Sequence, residues 1–355
     1  MGYRFEFRPY RRQFKRPLQT SHGNWDIREG IILRLSHEGQ VSWGEIAPIS
    51  WFGSETLEQS LDFCHQLPTE ITSETIFSIP ATLPACQFGF ESALSLPCPL
   101  IPLPPIPLSG LLAAGEAALN QWEILWNQGY RTFKWKIGVA PMQAELKIFH
   151  QLVQALPASA QLRLDANGGL SYSEANEWLR ACDRVSQPLV LPLRANRVST
   201  ELARVKPRSY RRNAEQAQRK PRSCLRRNVE FLEQPLPVAQ FDAMLELSDR
   251  YSTPLALDES VATLEQLEAS YQRGWRGVFV IKPCIAGSPS RLRQFCSEHE
   301  IDAVFSSVFE TTVGRLAALK LAVELSRYNR AVGFGIDCWF DEDDETWLEQ
   351  LWKGH

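Results

Sequence analysis

Five charged residues stand at the ends of short apolar runs, and their types define a chemistry. Phe133-Lys134-Trp135-Lys136 carries two lysines, and Arg163-Leu164-Asp165-Ala166-Asn167 carries Asp165 with Asn167 two residues on. Phe231-Leu232-Glu233-Gln234-Pro235 ends in Glu233, Leu257-Asp258-Glu259-Ser260 presents Asp258 with Glu259 beside it, and Ile281-Lys282-Pro283 ends in Lys282. Three carboxylates brought to one spot repel unless a cation sits among them. An all-oxygen trio suits a hard ion such as Mg²⁺, with Mn²⁺ as a substitute. An ion held this way can grip a substrate carboxylate and stabilise the charge that appears when the neighbouring proton leaves. Lys134 and Lys136 are two apart and share one face of a strand. Mutual repulsion and a nearby metal should lower their pKa values, so that one can act as a neutral base. Lys282 approaches from the far side, as a second base or as a cation facing an enolate.

Each motif alone has a plainer explanation. A lone KxK is usually a solvated strand face, and a lone strand-end Asp is usually a helix cap. The spacing argues for the set. Successive gaps from Lys136 are 29, 68, 25 and 24 residues, and a βαβ unit takes about 30. All but one gap therefore equals one strand-helix unit, which puts Lys, Asp, Glu, Asp and Lys at the same height on consecutive strands.

The elements that must position these residues are legible as alternation. Apolar runs at Leu108–Leu112, Thr132–Ile137, Gln161–Asp165, Val229–Glu233, Pro254–Asp258, Gly277–Ile281 and Ile301–Ser306 alternate with helical patterns such as Ser260–Arg273 and Val313–Leu325. Repeated units of this kind build a parallel sheet with helices outside. The number of units fits an α/β fold of the (β/α) barrel type, whose catalytic residues sit at the strand C-termini. An open doubly wound sheet is the structural alternative. Before the barrel, residues 1–100 read as an α+β domain, with strands at Gly30–Leu35 and Val41–Ile46 and an amphipathic helix from Thr56 to Leu67. The proline-rich stretch at 97–107 suits neither helix nor central strand and marks the passage into the barrel, assigned to 101–337. Residues 338–355 are expected to pack near the first domain. The one long gap contains residues 194–227, with twelve Lys/Arg and two Glu. That stretch reads as a basic surface insertion.

Composition removes several function classes. Of 355 residues 44% are hydrophobic and 22% charged, and the net charge is −3, so the whole molecule is no polyanion binder. No run of about 18 apolar residues is present, so no membrane span is expected. The first residues lack an apolar core, so neither is a secretory signal. Eight cysteines form no CxxC pair and six histidines show no HxxxH spacing. Reduced thiols in a cytoplasmic compartment follow, and a zinc site does not.

At the rim residues the sequence resembles the enolase superfamily, in its muconate-lactonizing-enzyme subgroup, where KxK, DxN, ExP, DE and K fall on successive strands. The resemblance covers nearly the whole chain and includes Gly44-Glu45-Ile46-Ala47-Pro48, similar to a WGE-A-P segment of the N-terminal capping domain. Within the subgroup it runs to the o-succinylbenzoate synthase family, on Trp43–Phe52, on Ser306–Gly314 and on Gly335-Ile336-Asp337. The resemblance implies Asp165, Glu233 and Asp258 as Mg²⁺ ligands, supported by Asn167 and Glu259. It implies Lys136 as the proton-abstracting base, Lys134 as its electrostatic partner and Lys282 as the opposing lysine. Ser306, Thr312 and Gly314 would contact the substrate carboxylates. The implied activity is a hydro-lyase of menaquinone and phylloquinone biosynthesis acting on a small dicarboxylate by syn elimination. In that mechanism Lys136 removes the α-proton and returns it to the leaving hydroxyl, and Lys282 supports the enediolate by a cation–π contact. The segment Ser21–Arg28 would close over the substrate.

Two rivals stay open. An N-succinylamino acid racemase or dipeptide epimerase would use Lys136 and Lys282 as bases on opposite faces of the same scaffold. A non-catalytic barrel would instead bind an anionic partner through the basic insertion, with affinity falling steeply in salt. No nucleic-acid partner is expected on the first reading, and oligomeric state is not encoded in any pattern found.

Overall fold

A computed structural model of the chain describes residues 2–20, 23–95, 105–186, 229–335, 339–340 and 344–353. The basic insertion and most of the proline-rich passage lie outside the described residues. So do Ser21, His22, Ile336 and Asp337.

The N-terminal region begins with β1 (Gly2–Thr20), β2 (Gly23–His37) and β3 (Gln40–Ile46). After α1 (Leu57–Gln66) come β4 (Glu70–Thr72), α2 (Ser73–Phe77) and α3 (Pro84–Ser95). The four strands form one antiparallel sheet in the order β3-β2-β1-β4. Alternation along β2 explains what covers each face. Ile31, Leu33 and Leu35 enter the main core, whereas Ile32 faces the other way toward Tyr10 and Trp347. Gly44 lets β3 lie directly on α3, since a Cβ there would meet the Gly89 carbonyl at 2.1 Å. Helix α1 starts on a capping box in which Thr56 accepts from the Gln59 backbone and Gln59 reaches back.

The second region alternates strand and helix. It runs β5 (Ser109–Leu112), α4 (Ala118–Asn127), β6 (Thr132–Lys136), α5 (Met142–Ala155), β7 (Gln161–Asp165) and α6 (Tyr172–Ser186). It continues with β8 (Val229–Glu233), α7 (Phe241–Arg250), β9 (Leu255–Leu257), α8 (Leu264–Gln272), β10 (Val278–Ile281) and α9 (Pro283–Ala286). Last come α10 (Pro289–Glu298), β11 (Asp302–Phe305), α11 (Thr312–Leu325) and α12 (Asp344–Lys353). Strands β5 to β11 pair in parallel and in chain order, as right-handed βα repeats require. The edges of this seven-stranded sheet are joined by two residues. Val332 bridges to Leu108 and Gly333 to Ser306, both in parallel. Val332 N donates to Pro107 O at 2.8 Å and Gly333 N to Phe305 O at 2.7 Å. The ring closes on that seam, which makes the architecture an α/β barrel rather than an open doubly wound sheet.

Inside the ring, Phe231, Ala256, Val278, Val280 and Val304 pack together. The chain then returns to its start. Trp347 of α12 meets the Tyr10 ring edge-on at 5.3 Å between centroids, and Trp352 meets Trp43 at 4.7 Å. No helix among the described residues is long and apolar enough to cross a membrane.

Candidate active site

Strand register brings the rim residues together. Lys136 pairs with Asp165 across β6 and β7, and Asp165 with Glu233 across β7 and β8. The first three rim residues are therefore level. On β9 the partner of Glu233 is Ala256, so Asp258 stands two residues farther out. Such a step follows from the shear that closes a barrel.

Above these ends lies a cavity of about 250 Å³ lined by Lys134, Lys136, Asp165, Asn167, Asp258, Glu259 and Lys282. Ser306, Ser307 and Ser109 complete its polar wall. Leu18, Trp25, Ile49, Trp51 and Phe52 of the N-terminal region, with Phe309, form an apolar mouth. Trp25 stands at right angles to both Trp51 and Phe309, at 5.7 and 5.6 Å between centroids. These edge-to-face contacts tie the N-terminal sheet to a barrel loop directly over the charges.

Asp165, Glu233 and Asp258 are all buried. Lys134 Nζ bridges Asp165 Oδ2 and Glu233 Oε1, each at 2.7 Å. Lys282 pairs with Asp258 Oδ1. The expectation of a lowered lysine pKa does not hold for Lys134. Burial opposes its charge, but contact with Asp165 and Glu233 and the field of Asp258 outweigh that, and the ammonium is held well above the ordinary lysine range. On the acid side, burial and the neighbouring Asp165 push Glu233 up to about 8, against the pull of Lys134. Burial, Asp258 and Asp165 likewise raise Glu259 to about 7. The rim thus holds more negative charge than its lysines neutralise, and Glu259 Oε2 is buried without a hydrogen-bond partner.

Among the described residues no three His, Cys, Asp or Glu side chains stand close enough to share one ion as placed. Each of the three expected ligands is paired with an ammonium, Asp165 and Glu233 with Lys134 and Asp258 with Lys282. The donor set still fits a hard divalent cation. It consists of buried carboxylate oxygens on adjacent strands, whose crowding raises Glu233 and Glu259 and would be relieved by a cation.

Two residues brace this set. Gln234, buried and in the left-handed region at φ 35°, accepts from Asp258 N at 3.0 Å and Ser260 N at 3.2 Å, and donates to Ser260 Oγ at 2.8 Å. Asn167, at φ 44°, donates from Nδ2 to Glu259 Oε1 at 3.1 Å while its N–H meets Asp165 Oδ1 at 3.1 Å. Strained backbone at both strand exits is over-determined by these bonds.

A family model described as enolase C-terminal domain-like matches residues 117–204 and 209–349, and one described as MenC, N-terminal domain, matches residues 11–96. The o-succinylbenzoate synthase of Thermosynechococcus vestitus is 37% identical over 99% of this chain and 98% of its own. The chain belongs to the o-succinylbenzoate synthase family of the enolase superfamily. The Yersinia enterocolitica o-succinylbenzoate synthase is 27% identical, covering 85% of this chain and 80% of its own. A crystal structure of o-succinylbenzoate synthase from Thermosynechococcus elongatus BP-1, complexed with Mg in the active site, superposes with TM-score 0.81. It is 36% identical over 99% of both chains. The L-Ala-D/L-Glu epimerase of Bacillus subtilis shares the fold alone, at TM-score 0.70 and 19% identity over 96% of this chain and 91% of that one.

Within the family frame, two substrate contacts expected from the sequence lie elsewhere. Ser306 lines the cavity, but Thr312 is exposed on the first turn of α11 and does not. Gly314 N donates to Glu45 Oε2 at 2.8 Å, so that donor is already used. Glu45 also accepts from Thr311 N at 3.0 Å, from Thr311 Oγ1 at 2.6 Å and from Tyr10 OH at 2.5 Å. The glutamate of the WGE segment is therefore an N-terminal cap for α11, supplied by the opposite region of the chain. Sequence reading missed the aromatic mouth and Gln234. The mouth had two signals, Trp25 within the segment Ser21–Arg28 expected to close over the substrate and Trp51-Phe52 at the end of the resemblance segment Trp43–Phe52.

Proposed function

We propose that this member of the family dehydrates 2-succinyl-6-hydroxy-2,4-cyclohexadiene-1-carboxylate to 2-succinylbenzoate, as a cytoplasmic step of menaquinone or phylloquinone biosynthesis. The observation that carries the reading is the convergence of Lys134, Lys136, Asp165, Asp258 and Lys282 on one cavity under an apolar mouth. Asp165, Glu233 and Asp258 would hold Mg²⁺, with Mn²⁺ as a substitute. The ion, when bound, supplies a Lewis acid that stabilises charge on the substrate's ring carboxylate.

The chain's own residues supply the proton chemistry. Lys136 takes the proton α to the ring carboxylate. Lys134, fixed by two carboxylates, faces the resulting enediolate with its positive charge. Lys136, now protonated, gives that proton to the hydroxyl leaving from the same face as the C–O bond breaks. Lys282 supports the charge from the other side. Ser306 offers its hydroxyl to the succinyl arm, and the aromatic mouth keeps water out. The ring becomes aromatic, which drives the elimination forward.

The test is turnover of this substrate with Mg²⁺, followed as ultraviolet loss of the diene, beside Lys136→Ala. Metal-dependent turnover in the parent and its loss in the variant are expected. A folded, metal-loaded parent without turnover would refute the assignment.

A further inference from the structure

Lys282 has a partner that the mechanism above does not use. The ring centroid of Phe52 lies 4.0 Å from Lys282 Nζ. Phe52 comes from the N-terminal region, and Lys282 from the end of β10. The ring is not free to drift. Phe52 closes a single 3-10 turn, Ser50–Phe52, in which Phe52 N donates to Ile49 O at 2.9 Å and Gly53 N to Ser50 O at 3.2 Å. Ile49 N is in turn held by Ser54 Oγ at 2.7 Å. Gly53, at φ 121°, seats this turn against the barrel, because a Cβ there would stand 3.2 Å from Ala262 Cβ, just past the Asp258 strand end. Lys282 itself is a long side chain with four rotatable bonds, and among the described residues its one ion pair is with Asp258. One ion pair fixes a distance but leaves the ammonium free to swing around it.

We propose that Phe52 is a positioning residue, whose π-face holds the Lys282 ammonium on the cavity side of Asp258 so that its remaining N–H groups face the substrate. The inference rests on the dehydratase reading only for its consequence in turnover. A cation over an aromatic face is attracted by the ring quadrupole, and the contact strengthens when both groups are removed from water. Lys282 and Phe52 both line the cavity, so this contact forms part of its wall. The N-terminal turn then does more than cover the cavity, since it sets the direction of a catalytic charge.

Fluorination tests this without changing shape. Replacing Phe52 by 4-fluoro-, 3,5-difluoro- and 3,4,5-trifluorophenylalanine withdraws charge from the ring face step by step. Turnover number should fall in the same order, reaching about tenfold for the trifluoro ring, with a smaller change in KM. The same series at Phe63, which lies outside the cavity, should leave turnover level. A flat series at Phe52 would overturn the proposal. Placement is also read without turnover, from the Lys282 ε-methylene protons in protein with labelled lysine. They should lie upfield in the parent under the ring current and return downfield in Phe52→Leu. Identical shifts in both would equally overturn it. A parent with no turnover would refute the dehydratase reading, and the lysine resonance would still decide the position of the ammonium.

Discussion

The barrel carries a buried or half-buried ionic network at each end, and the two are built on opposite terms. At the base, Arg163 Nε pairs with Glu230 Oε2 at 2.7 Å, while Arg330 reaches Glu230 Oε1 and Asp302 Oδ2, both at 2.6 Å. Two guanidiniums meet two carboxylates. Burial would raise Glu230, but Arg163 and Arg330 more than offset it and hold the carboxyl below its usual range. At the rim, three carboxylates and Glu259 outnumber Lys134, Lys136 and Lys282 by one, and Glu233 and Glu259 are pushed up instead. At the base the chain matches its own charges, although Arg163 Nη2 is buried without a hydrogen-bond partner, and such a network serves the fold. An unmatched one is satisfied only with help from outside and serves a ligand.

Breaking each end should therefore fail differently. The largest effect belongs to Lys136→Ala, expected to lower turnover about 10³-fold with an unchanged urea midpoint. A parallel loss of stability would place Lys136 in the fold rather than the chemistry. Next is the base, where Glu230→Gln should cost about 3 kcal/mol in urea unfolding and leave the folded enzyme's turnover nearly intact. A change confined to turnover would erase the distinction drawn above. At the rim, Glu233→Gln should abolish metal-dependent turnover yet change the stability of chelator-treated protein at pH 5 by no more than about 1 kcal/mol, because Lys134 keeps Asp165. The smallest effects are in pH dependence. Glu230 is lowered in the fold, so its stabilisation is complete above the unfolded carboxyl value of about 4.3 and is lost as pH falls through its folded value. Glu233 is raised, so its ionisation costs stability that appears as pH climbs from about 4.3 toward about 8. Chelated parent protein should thus weaken between pH 5 and pH 8, and Glu233→Gln should flatten that slope. A slope that persists in the variant would mean that another group carries it.

Sequence reading reached the rim and not its wiring. The barrel strands were legible because apolar runs ending in a charge recur at one-unit spacing, save across the 68-residue gap from Asp165 to Glu233, and that recurrence also carried Asp165, Glu233 and Lys282 to one end. The 3-10 turn at Phe52 was not legible, since its position over Lys282 depends on how two distant regions dock. The cap from Glu45 to α11 spans more than 260 positions and has no local signature, which is why Gly314 was read as a substrate donor. The pairing of Lys134 with Asp165 and Glu233 followed from register, and register emerges only when the strands align. The closing seam was invisible for another reason: two residues are too few to show any periodicity.

That seam has a consequence for motion. The β5–β6, β6–β7, β7–β8 and β10–β11 joints each hold by four or five paired residues and β9 meets each neighbour through two, whereas the return at Val332–Gly333 touches each sheet edge through a single bridge. Gly333 lies close against Ser306, since a Cβ there would meet Ser306 Oγ at 2.5 Å and force that hydroxyl to shift. Amide exchange should therefore be fastest, among the ring's buried amides, at Ser109, Val332, Gly333 and Ser307. Ser306 and Ser307 sit on the cavity side of that joint, so breathing of the ring is felt first where the succinyl arm would rest.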